Sequence, residues 1–290
     1  MFPPKPQWGV DQNPNLSGKV MIVTGGNAGI GKETVRVYMA NRNAQRVQDA
    51  IEKPKGQTRK VALLADLHTK FRLSSLLMDK EDRLDVLFNS GGLMYPPVEQ
   101  TTKDVYGTNV ISHFYLTQQL LPLLIESAKT SSDEKARVIN TSSMGHSFVS
   151  GIDFDTLRDG PKRIKAGTMK LYSQSKFANV VFSNELHRRY AGQGIVSVSL
   201  HPGTRRSRYK DLANYACSVI QKHLLYPAPM GALTQLYAGT TPEGANLGEL
   251  TPVTNYLIPW ARVGRAKKET GDVELARKLW DWLENAMRGV

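Results

Sequence analysis

The sequence predicts an α/β protein organised on one doubly wound parallel sheet, and three observations lead there. Short apolar runs rich in β-branched residues recur at 19–24, 37–40, 60–65, 84–88, Ala136–Thr141, Ile195–Leu200 and Tyr256–Ile258, as strands buried on both faces do. Segments of good helix formers lie between them, so strand and helix alternate in the way crossovers between parallel strands require. The first run stops at Gly25-Gly26 and passes through a glycine-rich turn into helix formers at 31–36. A strand, a tight turn and a helix N-terminus in that order make an anion site. With 290 residues, 40% of them hydrophobic, the chain can bury one sizeable core as a single domain.

Residues 1–17 are proline-rich and polar and lack an apolar h-region, so they read as an extended arm, anchored by Trp8, and not as a secretory signal. In the glycine turn, the missing Cβ atoms of Gly25, Gly29 and Gly31 let a pyrophosphate approach the main chain. The natural ligand is a dinucleotide. The first crossover is short. A helix returning along a strand of about five residues spans roughly 17 Å and takes about eleven residues, yet only 30–36 precede the run at 37–40. Either this helix is a stub, or 29–52 runs as one helix and the second strand is lost; the stub is the expectation. Helices follow at 44–52, 71–78, 101–127, 169–190 and 230–238, and an amphipathic helix at 273–287 closes the chain. Residues 204–255 are less regular and read as a substrate-covering segment inside the domain 18–290.

Composition excludes several classes of function. The net charge is +12, but the basic residues are scattered among acidic ones. That is a solvated basic surface, with no nucleic-acid partner and only weak attraction to anionic membrane surfaces. No apolar stretch reaches the roughly 18–20 residues that cross a bilayer. The single cysteine, Cys217, forms no internal disulfide, which points to an intracellular, cytoplasmic setting. His113, His146 and His201 sit on different elements without ligand spacing, so no metal is expected. A homo-oligomer is compatible with the sequence.

The run Thr24-Gly25-Gly26-Asn27-Ala28-Gly29-Ile30-Gly31 resembles the cofactor loop of the short-chain dehydrogenase/reductase family, above all its retinol-dehydrogenase-like members. Asn89-Ser90-Gly91-Gly92 stands where the family has Asn-Asn-Ala-Gly. Asn109 lies in a closely similar run, Gly-Thr-Asn-Val-Ile-Ser-His-Phe. Serines end the fifth strand, and Tyr172-Ser-Gln-Ser-Lys176 and Pro202-Gly203 follow in the family's order. A Tyr with a Lys four residues later is common by chance, so the ordered set carries the resemblance.

The resemblance implies a Rossmann fold and NADP as cofactor, with NAD the alternative. It places Gly25, Asn27, Gly29, Ile30 and Gly31 around the pyrophosphate, Arg42 on the 2′-phosphate and Asp66 on the adenine amino group. Asn89 and Gly91 would lie by the ribose, Tyr172 and Lys176 by the nicotinamide ribose, and Pro202, Gly203 and Ser207 by the nicotinamide amide. Read as bare residues, Arg42 is equally a surface arginine and Asp66 a helix N-cap. The chain departs from the family at Ser90, at Gly91 and at Arg205, which replaces an apolar residue. Against the family pattern roughly eight residues are missing from the first crossover and about four before Gly107, the latter turning Asn109 by about 40°.

Tyr172 and Lys176, four apart on a predicted helix, share one face. A carbonyl that accepts a hydride becomes an alkoxide and needs a proton. A phenol ordinarily ionises near 10, and working near 7 takes roughly 4 kcal/mol of preference for the phenolate. One ammonium about 6 Å away at an effective dielectric of about 20 supplies roughly 3 kcal/mol. The resemblance implies Tyr172 as acid/base, Lys176 as the group that lowers its pKa, and Asn109 as holder of a water linking Lys176 to solvent. Ser143 would hold the substrate oxygen, preferred over Ser142 because the family's Ser-x-x-His spacing fits Ser143 and His146. The expected activity is interconversion of an alcohol and a carbonyl, and the apolar, aromatic content of 209–237 suggests a lipophilic substrate. One rival, motivated by the shortenings, is a binding or regulatory module that has lost turnover. A second, an epimerase or dehydratase, needs a larger C-terminal substrate domain than this chain has.

Overall fold

Four strands, β1 (Met21–Thr24), β4 (Val86–Asn89), β5 (Ala136–Thr141) and β6 (Ile195–Leu200), are buried along their whole length, which is why their sequences are unbroken apolar runs. The computed structural model describes residues 6–16, 18–26, 29–34, 38–40, 63–64, 81–94, 105–203, 228–250 and 255–288. In it these strands are joined by β2 (Tyr38–Ala40), β3 (Leu63–Leu64), β7 (Tyr256–Ile258) and β8 (Arg262–Val263) in one sheet of order β3-β2-β1-β4-β5-β6-β7-β8. All pairings are parallel except β7 with β8. The order reverses between β1 and β4, and open α/β sheets bind ligands at the C-terminal ends of strands at such a switch point.

The described helices are α1 (Gly29–Thr34), α2 (Ser112–Thr130), α3 (Pro161–Tyr190), α4 (Ala228–Thr240), α5 (Pro242–Asn246) and α6 (Val273–Arg288). Helices α2, α3 and α6 cover one face of the sheet, packing on Ile22, Leu87 and Val138. On the other face Ala238 of α4 joins Val23, Phe88, Ile139 and Leu200. This is the doubly wound arrangement. Among the described residues no helix is long and apolar enough to cross a membrane.

The first crossover is the stub. Helix α1 has six residues, and β2 pairs with β1 in parallel, Ile22 opposite Tyr38, so a single helix over 29–52 is excluded. The chain closes the gap because β2 is only three residues long, which shortens the return path. Thr34 at the end of α1 donates to the Ile30 carbonyl at 2.9 Å and accepts the Gln235 amide from α4. The expected helices at 44–52 and 71–78 lie outside the described residues.

Three features differ in detail from expectation. The helix expected over 101–127 is continuous from Val105 to Thr130 among the described residues, with a π turn inserted at Gly107–Ile111. Helix α3 starts at Pro161, not 169, because Pro161 pre-sets its first turn; a kink at Gly167, with φ 73 and ψ 162, hid that turn from sequence periodicity. Strand β8 was not foreseen at all. Its turn places Trp260 and Ala261 at φ 64 and 60, where glycine or asparagine is the usual signal.

Trp8 packs with Ala232, Leu233, Leu236 and Trp260, edge-on to Tyr237 at 5.7 Å. At the other end of the chain, α6 lays Trp280 against Phe114, with ring centres 5.0 Å apart, and Phe182, at 6.1 Å. The Arg189 guanidinium caps the indole at 4.3 Å. Since Trp280 is 2% exposed, Trp280→Ala is expected to cost about 3–5 kcal/mol, read as a lowered urea midpoint. A loss below about 1 kcal/mol would show that α6 is not part of the core.

Candidate active site

Strands β1 and β4 meet at their C-terminal ends with room for backbone only. Gly25 stands at φ 68, and a Cβ on it would lie 2.7 Å from the Gly91 Cα. A Cβ on Gly31 would strike the Gly25 carbonyl oxygen, so the first turn of α1 rests directly on the loop. Gly29 enters the helix at φ 58. Thr24 ties the two strand ends together: its Oγ1 accepts the N–H of Ser90 at 2.9 Å and of Gly91 at 2.8 Å. The result is a floor of bare backbone at the switch point, the shape a pyrophosphate needs. These residues fit a dinucleotide. Ile30 leans away from the floor onto Gly231 of α4, where a Cβ would come within 3.0 Å of its side chain.

Behind this floor lies His113, fully desolvated. Burial, with the Lys176 charge second, lowers its pKa to about 3, so the ring is neutral. The Asn109 carbonyl, 3.1 Å from Nδ1, can only accept, so the ring proton sits there. Nε2 then accepts the Thr24 hydroxyl proton at 3.0 Å. One buried ring thus joins the glycine loop to the turn that carries Asn109.

The π turn aims Asn109 at the loop after β4; such one-residue insertions recur at functional sites. Asn109 Oδ1 accepts the Leu93 N–H at 2.8 Å, while Nδ2 donates to the Leu93 carbonyl and to Ser175 Oγ, each at 3.0 Å. Both amide hydrogens are therefore engaged within the protein, and only a remaining lone pair on Oδ1 is left for a water. A Cβ on Gly92 would lie 3.0 Å from that Oδ1 and 3.5 Å from Lys176 Nζ, so Asn109 and Lys176 flank the same glycine.

Tyr172 and Lys176 share a face of α3, with Nζ 6.0 Å from the phenol ring centre. Nζ donates to the Thr141 carbonyl at the end of β5, at 2.9 Å. Burial lowers the Lys176 pKa to about 8, so the ammonium keeps its proton at pH 7 by about ten to one. The two serines ending β5 are held differently. Ser142 Oγ donates to the Lys176 carbonyl at 2.6 Å and is buried. Ser143 Oγ accepts the Gly145 N–H at 3.1 Å, which leaves its own proton to donate. A Cβ on Gly145 would lie 3.3 Å from Tyr172 Cε1 and 3.5 Å from Ser143 Oγ. Ser143 and Tyr172 therefore flank Gly145, Asn109 and Lys176 flank Gly92, and the 6.0 Å from Nζ to the phenol ring links the two pairs.

Other sequence-predicted residues fall in three groups. Asn89 turns its amide into the sheet, donating to Thr117 Oγ1 at 3.1 Å and Asn140 Oδ1 at 3.0 Å. Both hydrogens of its amide are thereby engaged within the sheet. Pro202 and Gly203 follow β6 at the rim, with Gly203 at φ 89 against Pro259. Asn27, Arg42, Asp66 and Ser207 lie outside the described residues. The sequence reading passed over Thr24 as a hydrogen-bonding group and gave His113 a structural role without naming its partners. It also missed Gln235, which accepts from Thr141 Oγ1 at 3.1 Å and Ser90 Oγ at 3.3 Å.

Fold and site together define a dinucleotide-dependent oxidoreductase. Comparison with known proteins narrows the class. Residues 19–152 match the family model described as short chain dehydrogenase. A short-chain dehydrogenase/reductase of Armillaria gallica is 46% identical, the match covering 98% of this chain and 95% of that protein. Human retinol dehydrogenase 11 is 32% identical over 92% of this chain and 85% of its own length. Among solved structures, the NADP complex of Pseudomonas aeruginosa RhlG superimposes with a TM-score of 0.66 at 26% identity, covering 84% of this chain and 95% of that one. The chain belongs to the short-chain dehydrogenase/reductase family, NAD(P)-dependent enzymes acting on CH–OH groups. The Armillaria alignment runs over 302 positions against a chain of 290 residues, so that relative carries residues this chain lacks.

Buried His113 and half-buried His201 give stability a pH dependence of definite sign, the larger part of it from His113. His113 and His201 are held neutral by burial, with pKa values of about 3 and about 4 against an ordinary 6.5. Below about pH 6.5 the unfolded chain binds protons there that the folded chain refuses. Their contribution is therefore complete above that pH and falls by about 1.4 kcal/mol per unit per histidine down to the folded values. The urea midpoint is expected to drop markedly between pH 7.5 and 5; a flat midpoint over that range contradicts this.

Proposed function

We propose that the protein is an NADP-preferring oxidoreductase that interconverts an alcohol and a carbonyl on a lipophilic small molecule, with Tyr172 as acid/base. The observation that supports this reading is the setting of the Tyr172 ring, which shares Gly145 with Ser143 Oγ and has Lys176 Nζ 6.0 Å from its centre. The bound nicotinamide supplies or accepts the hydride. Ser143, its hydroxyl proton free, donates to the substrate oxygen and holds it beside the phenol. Tyr172 gives its proton to that oxygen in reduction and takes it back in oxidation. The Lys176 ammonium, desolvated and fixed on the Thr141 carbonyl, stabilises the phenolate; at about 6 Å and an effective dielectric of about 20 this amounts to roughly 3 kcal/mol. Asn109 positions the loop at 90–94 and borders Lys176.

NADP is favoured over NAD by Arg42, which follows the second strand, and by the NADP found in the RhlG complex. The apolar and aromatic residues of 209–237 support a lipophilic substrate, and the lone cysteine supports a cytoplasmic setting. The six-residue α1 favours one rival: a dinucleotide-fold module that has lost turnover.

An NADPH-consumption assay with long-chain aldehydes and ketones, run beside an NADPH titration of tryptophan fluorescence, decides between them. Tyr172→Phe is expected to lower kcat by about 10²–10⁴-fold, and carbonyl reduction to weaken above about pH 8 as Lys176 loses its proton. Binding without turnover by wild type gives the module; equal rates in wild type and Tyr172→Phe remove the phenol from the mechanism.

A further inference from the structure

Behind Ser143 lies a second aromatic couple that the mechanism above does not use. His146 and Tyr256 are 4% and 1% exposed, their ring centres 4.9 Å apart, and the His201 ring lies 6.0 Å from Tyr256. The His146 ring makes three polar approaches. Nε2 faces the Lys267 backbone N–H at 3.2 Å, and Nδ1 faces the Ser143 carbonyl at 2.7 Å and the Tyr256 hydroxyl at 3.2 Å. A backbone N–H only donates, so Nε2 carries no proton. A carbonyl only accepts, so Nδ1 does. Both constraints select the same tautomer.

Tyr256 extends the network to the other side of the site. Its phenol hydrogen-bonds the Ser142 side chain, and burial, opposed by that bond and reinforced by nearby Tyr172, raises its pKa. Ser142 in turn donates to the Lys176 carbonyl. The couple therefore grips the Ser143 peptide through His146 and the Lys176 turn of α3 through Tyr256 and Ser142. Ser143 itself is the N-cap of the short 3-10 helix Met144–Phe148, in extended conformation at φ −157 and ψ 158. Its hydroxyl direction follows from how that one peptide is held.

We propose that His146, backed by Tyr256, is a positioning residue that sets the Ser143 hydroxyl against Tyr172. This rests on the roles given to Ser143 and Tyr172 above. With the Nδ1 proton gone, the Ser143 carbonyl keeps only the His146 backbone N–H at 3.1 Å, so the shorter of its two restraints is lost and the peptide is held less tightly. A displacement of about 1 Å at a reacting group costs on the order of 10²-fold in rate. The glycine floor stands on β1 and β4, whereas the His146 ring is held by Ser143, Tyr256 and Lys267, so dinucleotide affinity is expected to be unchanged.

The test pairs two variants with a measurement that needs no turnover. His146→Asn keeps an N–H near the Nδ1 position, whereas His146→Leu does not. In NADPH-dependent reduction of decanal, His146→Leu is expected to lower kcat by about 10–100-fold, with NADPH affinity within about twofold of wild type by tryptophan fluorescence. His146→Asn should restore most of the rate. Wild-type kcat in His146→Leu overturns the inference, as does a joint loss of rate and NADPH affinity that His146→Asn fails to repair. Independently, ¹⁵N-histidine NMR at pH 7, with His146 assigned by its absence in His146→Asn, should show Nδ1 protonated and Nε2 bare; the opposite tautomer overturns it too. Equal rates in wild type and Tyr172→Phe would instead remove the reading on which the inference rests, a result distinct from any shown by the histidine variants.

Discussion

A buried ammonium governs the arrangement of this protein. Lys176 sits beneath the end of β5 with its Nζ on the Thr141 carbonyl at 2.9 Å, in surroundings dry enough to bring its pKa down to about 8. Desolvating a charge costs several kcal/mol unless it is met by oriented dipoles, and the neighbouring elements supply them. Thr141 turns a carbonyl to it, Asn109 brings an amide oxygen across Gly92, and α3 is itself pinned through Ser142. The charge is kept just short of neutralisation, which makes it useful beside a phenol.

The same economy of space appears at the cofactor floor. Gly25 and Gly91 touch backbone to backbone, Thr24 sews their ends, and His113 links that seam to Asn109. A displacement at the glycine loop is therefore felt at the turn bearing Asn109, because the connecting groups are buried and have no water to fall back on. The shortened first crossover is tolerated within this frame. β2 gives up length, and Gln235 of α4 catches the end of α1 at Thr34 while also bracing Ser90 and Thr141. What the chain lacks in α1 is made good by α4.

Legibility followed sequence distance. Tyr172 and Lys176 could be read because four residues on a helix is one turn, and the buried strands because two covered faces demand unbroken apolar runs. The preference for Ser143 came from spacing to His146, and the structure adds a physical difference between the two serines: the Ser142 hydroxyl already donates to the Lys176 backbone carbonyl. The Thr24–His113 contact was not legible, since its partners lie 89 positions apart and each has an ordinary local reading. Asn89 was placed by the family resemblance alone; that its amide hydrogens go to the buried Thr117 and Asn140 could not be read from the sequence. The hairpin at Trp260 puts two non-glycine residues at positive φ against local propensity, whereas the kink at Gly167 uses glycine's own freedom and, like the π turn, only shifts the helical period.

The central claim is that a phenol on α3 is made acidic by the ammonium one turn away. Ultraviolet difference titration of the tyrosines in the NADP-saturated protein tests it most directly, run on wild type, Tyr172→Phe and Lys176→Met. The account predicts one tyrosine in wild type ionising well below the ordinary value near 10, absent in Tyr172→Phe and shifted upward in Lys176→Met. Superimposable titrations for wild type and Tyr172→Phe below that pH would contradict it.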